Sequence, residues 1–264
     1  MVFAAAGLFP FGEHTLAWGD LSQQVIPLLM EWKDILAGKS DIFLNLQNAG
    51  GMSFWGVFFF FLSSPFSFLV IFVEKAQIYL LVNGLVLLKL SLAAASGACF
   101  FQREAPSLPL AAQLALGLSY GLCGYGLLYY QNLVWLDVLC LFPLLMLGFL
   151  RLIEGGSPLW FTVVLTMVVA VNYYLSYMVF LGLLLWSGIF LRLAVPKEKR
   201  GQVAGRLGLS ALAALLLTAV VWLPSFRQCI ASARTSEGII SSVQSGGFWT
   251  RLTTTLPILF LTAG

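Results

Sequence analysis

From residue 76 to residue 101 the chain carries one charge, Lys89, in an otherwise uncharged and mostly apolar run. Such a run is long enough for a helix to cross the hydrocarbon of a bilayer, which takes roughly 20 residues. The rest of the chain repeats the pattern: of 264 residues 60% are hydrophobic and 9% charged, with 22 Phe and 8 Trp. A soluble core of this size hides less apolar surface than that, so the chain reads as an all-α polytopic transmembrane protein. Its net charge of +3 is spread between loops and gives no nucleic-acid patch. Cys99, Cys123 and Cys140 lie in apolar runs and Cys229 sits alone in an expected loop, which is neither a disulfide framework nor metal spacing. The lone His14 excludes a His-rich metal site.

Spans are expected at about residues 76–101, 107–128, 136–153, 157–172, 173–191 and 205–224, within a single transmembrane domain. Residues 1–9 are apolar but lack the basic start and cleavage pattern of a signal peptide, so they read as the outer end of a truncated first helix. Residues 249–264 read as a last span, also incomplete, and the chain is expected to be a fragment of a larger protein. Residues 54–73 are ambiguous, because Ser63-Ser64-Pro65 interrupts them and favours two short helices over one straight span. If they do not cross, Arg103, Arg151, Arg192, Lys197, Lys199, Arg200 and Arg206 all fall on one side, which the positive-inside rule makes cytoplasmic. Residues 54–73 are therefore expected to be a peripheral or re-entrant helix pair on the outer face. Residues 12–53 then form the first extracytoplasmic loop and residues 225–248 a later one. The Asp20 loop, residues 125–137, the Asn172 turn and residues 225–248 gather on that face.

Asp20 is the sharpest candidate for chemistry. It follows Gly19 at the head of a polar segment, and a carboxylate held near the membrane surface suits a general base. Asp before an apolar helical stretch is equally good N-cap chemistry. Gln23 and Gln24 fall on the first turn of that helix, where an amide either binds a ligand or simply faces solvent.

Further along, Asn45, Gln47 and Asn48 precede the pair Gly50-Gly51, as in a loop that contacts a polar ligand or in a plain turn. Trp135 is either a ligand contact or an interfacial anchor, and Asp137 either a second acid or a helix N-cap. Asn172, Tyr173 and Tyr174 suit sugar or phosphate contacts, although an aromatic belt has the same composition. Lys89 stands mid-span, where an isolated ammonium is expensive and reads by default as functional. It either meets a phosphate in a protein-lined cavity or pairs with a carboxylate of another helix, and no acid is expected mid-span to serve as that partner.

In order along the chain stand Pro10-Phe11-Gly12, Gly19-Asp20, Gln23-Gln24, Ser63-Ser64-Pro65-Phe66 and Lys89. Tyr120 through Tyr125, Trp135-Leu136-Asp137, Pro143-Leu144 and Asn172-Tyr173-Tyr174 follow. The sequence resembles the YfhO family of bacterial multi-span membrane proteins across essentially its whole length. YfhO proteins in turn resemble the GT-C class of glycosyltransferases, which use polyprenyl-phosphate-linked sugars, and are associated with adding sugars to teichoic or lipoteichoic acids. The resemblance implies a GT-C-like fold in the bacterial cell membrane, an extracytoplasmic active face, a polyprenyl-phosphate-linked sugar as donor and a cell-surface polymer as acceptor. It makes Asp20 the base that takes a proton from the acceptor hydroxyl. Gln23, Gln24, Asn45, Lys89, Trp135, Asp137, Asn172, Tyr173 and Tyr174 become the substrate-binding candidates. No cofactor follows with certainty; a divalent cation held jointly by Asp20 and Asp137 is the one considered, and two separated acids do not define a site.

Two other classes compete. A transporter or lipid flippase should show inverted repeats and several midplane polar groups, of which only Lys89 is apparent. A non-catalytic assembly subunit needs no acidic outer loop with clustered amides.

Overall fold

The computed structural model describes residues 2–43, 45 and 53–231, and among these every regular element is helical. Four helices are long and apolar enough to cross a membrane, and two bent helix pairs bring the number to as many as six. The protein is all-α and polytopic. Two compact units divide it, Met1–Val221 and Trp222–Gly264, and the account below concerns the first.

Short helix α1 (Val2–Ala5) leads into a loop, and a π-helical turn, Leu21–Val25, runs on into α2 (Ile26–Leu36). The polar segment at 12–53 thus contains a helix beginning where the sequence after Asp20 led one to expect it. Next come α3 (Phe54–Val57), running into a π-helical turn, Phe58–Leu62, and a 3₁₀ segment, Pro65–Phe72. Phe54–Leu62 and Pro65–Phe72 diverge by 104° at Ser63-Ser64, as the interrupting serines and proline led one to expect.

The bundle follows as α4 (Ile78–Glu104), α5 (Leu110–Gly121), α6 (Gly124–Leu128), α7 (Leu133–Ile153), α8 (Leu159–Val171), α9 (Tyr173–Leu193) and α10 (Lys197–Leu217), and after it α11 (Ala219–Ala231) runs into the second unit. Three boundaries differ from expectation. The segment at 107–128 is broken at Leu122-Cys123 into α5 and α6. With 13 residues, α8 is about 20 Å long at 1.5 Å per residue, short of a roughly 30 Å hydrocarbon core. Residues 225–231, Cys229 among them, belong to α11 and not to a loop; residues 232–264 lie outside the described residues.

Packing explains the order. Helix α7 is apolar nearly all round and joins two core clusters. Its Leu133, Leu136 and Leu139 pack with α2, the broken pair and α4, whereas Leu145, Phe149 and Leu152 pack with α8, α9 and α10. By contrast α9 leaves Leu184, Leu185 and Leu193 exposed, a face suited to lipid. Helices α4 and α5 meet through small residues: a Cβ on Gly117 would stand 2.6 Å from Ala94 O.

Three arginines fasten one end of the bundle. Arg103 donates to Leu147 O at 2.9 Å and pairs with Glu154, and Arg206 donates to the carbonyls of Gly155 and Gly156. Arg200 donates to Val195 O at 3.0 Å and Arg192 O at 2.8 Å. The ends of α4, α7 and α9 and helix α10 are tied together by these arginines.

Candidate functional site

The opposite end carries Asp20. Its loop is fastened from below by Asn83, a fully buried amide one turn into α4. Asn83 Oδ1 accepts from Leu16 N at 2.8 Å and Thr15 Oγ1 at 3.1 Å, while its Nδ2 donates to His14 O at 3.1 Å. From the side, Tyr130 donates its hydroxyl to Leu16 O at 3.3 Å, and burial raises that phenol's pKa, keeping it a neutral donor. Gln131 Oε1 accepts from Asp20 N at 3.1 Å. Gly19 makes this approach possible: its φ is +56°, and a Cβ there would lie 2.5 Å from Gln131 Oε1.

Held in this way, Asp20 enters the Leu21–Val25 turn with helical backbone angles and makes no side-chain cap. The capping alternative therefore has no hydrogen bond behind it. The exposed carboxylate lines a cleft of about 600 Å³ together with Gln23, Gln24, Pro27, Leu28, Val57 and Phe61. Asp20, Gln23 and Gln24 are thus brought together against an apolar wall supplied by α3 and the Phe58–Leu62 turn.

The other described candidates do not line the Asp20 cleft, and the contacts of each are with the protein itself. Asn45 is buried and donates from Nδ2 to Glu31 Oε1, which also accepts from Ser40 Oγ, so its amide ties the following loop to α2. Gln47 and Asn48 lie outside the described residues. Asn172 is fully buried and caps α9: its Oδ1 accepts from Leu175 N at 2.7 Å and its Nδ2 donates to Phe60 O at 3.3 Å. Tyr173 and Tyr174 both pack against the Phe60 ring, and Trp135 packs on Tyr129.

Lys89 corrects the expectation that no acid lies mid-span. Asp137 is not an N-cap and does not line the Asp20 cleft; it sits within α7, which Asn132 precedes as N-cap, borders a separate apolar cavity of about 690 Å³, and its Oδ2 is 2.7 Å from Lys89 Nζ. Both side chains are nearly inaccessible, 1% and 6% exposed. Lys89 also donates to Leu133 O at 3.0 Å and Ser64 Oγ at 3.2 Å. The structure thus takes the ion-pair alternative, and since Asp137 is spent on Lys89 it does not join Asp20 around a cation.

The family model for bacterial membrane protein YfhO matches residues 1–262. The chain belongs to the YfhO family. Comparison with curated proteins and with solved structures gives no match. Membership in YfhO agrees with the several membrane-crossing helices and makes this a multi-pass bacterial membrane protein.

Asn83 and Gln131 went unremarked in the sequence. Asn83 carried the same signal as Lys89, a polar side chain inside an apolar span. Gln131 had none, since a glutamine beside Asn132 and two tyrosines reads as ordinary loop.

Proposed function

We propose that this YfhO protein is a membrane glycosyltransferase whose acceptor site is the Asp20 cleft, on the extracytoplasmic face. Family membership supports the class, and one observation carries the site: the Asp20 carboxylate is exposed in a cleft, beside two amides, with no cap to satisfy it. The acceptor hydroxyl attacks the anomeric carbon of a polyprenyl-phosphate-linked sugar. Asp20 takes its proton, the new C–O bond forms, and the bond from the anomeric carbon to the phosphate oxygen breaks, releasing the lipid phosphate. The transition state is oxocarbenium-like, as in glycoside hydrolysis. Gln23 and Gln24 hold hydroxyls of the acceptor or sugar, and a cell-surface polymer such as teichoic or lipoteichoic acid is the acceptor class.

Asp20→Asn tests this, since it keeps the size and removes the proton acceptor. Transfer of sugar in membranes should fall at least about a hundredfold with protein abundance unchanged. Near-normal transfer by the Asn variant refutes the assignment. The transporter reading gains a second intramembrane charge in Asp137, but Asp137 is paired with Lys89 at 2.7 Å and the cavity that it borders is otherwise almost wholly apolar.

A further inference from the structure

Lys89 and Asp137 do not line the Asp20 cleft, yet their hydrogen bonds reach a segment that does. Lys89 Nζ donates to Ser64 Oγ at 3.2 Å and stands 5.3 Å from the centroid of the Phe66 ring. Ser64 lies at the break, between Phe58–Leu62 and Pro65–Phe72, and its hydroxyl also accepts from Phe66 N at 3.3 Å. On the other flank, Ser63 Oγ donates to Ala170 O and Asn172 Nδ2 to Phe60 O. The Phe58–Leu62 turn presents Phe61 to the Asp20 cleft. Its neighbour Phe59 instead lines an apolar cavity of about 690 Å³ between α4, α7 and α8. A turn with a different space on each side is placed only as well as its ends are tied.

A buried ion pair is weak evidence for stability, because apolar residues of similar volume often join two helices as well or better. An apolar pair here would still pack α4 on α7, but it would offer nothing to the hydroxyl at the break. The ammonium does both at once. Its charge is met by Asp137 on α7, and a further N–H is left for Ser64.

We infer that Lys89 and Asp137 are positioning residues, which through Ser64 seat the Phe58–Leu62 turn and so set the wall of the Asp20 cleft. The consequence for transfer rests on the function proposed above, whereas the seating does not. The pair lies outside the Asp20 cleft, Asp137 bordering only the apolar cavity on the other side of the turn. Removing it displaces a wall and leaves the proton acceptor in place, so transfer suffers in KM more than in kcat.

The test places photoreactive benzoylphenylalanine at Phe61, an aromatic for an aromatic, and measures its cross-linking to residues 23–28 in membranes. Ser64→Ala keeps the ion pair and cuts its tie to the break. Lys89→Met/Asp137→Leu removes both charges and leaves none unpaired. Each should lower the seated-to-displaced ratio of the turn about fivefold, the shift expected for one lost net hydrogen bond, and the cross-link yield with it. Ser64→Thr and Lys89→Arg, which keep the hydroxyl and the cation, should retain the yield. No cross-link in the otherwise unchanged chain, or an unchanged yield in either disabling variant, overturns the inference. If the yields fall while Asp20→Asn still transfers sugar, the seating stands and the proposed function fails.

Discussion

Two acids in this molecule have opposite circumstances. Asp137 is 5% exposed, pairs with Lys89 at 2.7 Å and lies deep in the bundle; Asp20 is exposed, lines a cleft and makes no cap. A buried carboxylate must be neutralised where it stands, so its neighbours commit it to structure. An exposed one with no side-chain partner among the described residues suits the proton-acceptor role proposed above. The backbone around Asp20 is nonetheless held firmly by Asn83 and Gln131, so the group is mobile in its chemistry and fixed in its place.

The largest effect that tests this contrast lies at the buried pair. Lys89→Met leaves Asp137 as an unpaired buried charge, which should cost about 3 to 5 kcal/mol. Lys89→Met/Asp137→Leu should recover most of that. Denaturation in detergent, followed for both variants, checks the pair; equal loss in the single and double variants would mean that packing, not charge, dominates there.

Next comes Asn83, which has the burial of Asp137 and serves the Asp20 loop. Asn83→Leu strands Leu16 N and His14 O away from their partner, a penalty of about 1 to 3 kcal/mol. Amide hydrogen exchange at residues 14–17 should accelerate well before exchange in α7 does. Uniform acceleration would show that Asn83 supports the whole bundle and not this loop.

The same contrast explains what was legible. The apolar runs gave the helical bundle because span length and hydrophobicity are local properties, and Ser63-Ser64-Pro65 gave the break because proline acts on its own backbone. The grouping of Asp20 with Gln23 and Gln24 was also local, three residues on adjacent turns of one helix. Pairing was not. Asp137 looked like a helix start because the onset of α7, at Leu133, lies five residues before Val138, where the helix would begin if Asp137 capped it, and its partner is 48 positions away in sequence. Nor does any local pattern tell that Gln131 reaches Asp20, which is 111 positions distant. Asn172 and Asn45 read as ligand contacts because an amide in a loop has the same composition whether it binds a sugar or a backbone.

Asn172 gives a smaller effect, separable into parts. Asn172→Ala removes the α9 cap and the bond to Phe60 O, about 1 kcal/mol for the cap alone. Asn172→Ser restores a cap and cannot supply the amide donor. Stability of the Ser variant should fall between Ala and the native protein, as measured by thermal denaturation. If Ser and Ala are equal, the cap contributes little and the amide bond to Phe60 does the fastening.

The smallest expected change in stability is at Asp20, and its smallness is the point. With no cap to lose, Asp20→Ala should leave thermal stability within about 0.5 kcal/mol of the native value, in the range of ordinary surface substitutions. An N-cap replaced by alanine would instead cost about 1 kcal/mol. Thermal denaturation of Asp20→Ala and Asp20→Asn side by side separates the cases, because asparagine preserves a cap and alanine does not. Equal stability of the two, with transfer lost in both, marks a residue kept for its chemistry. A gap of a full kcal/mol between them would mean that Asp20 caps the turn in the membrane after all, and the contrast with Asp137 would then be one of depth alone.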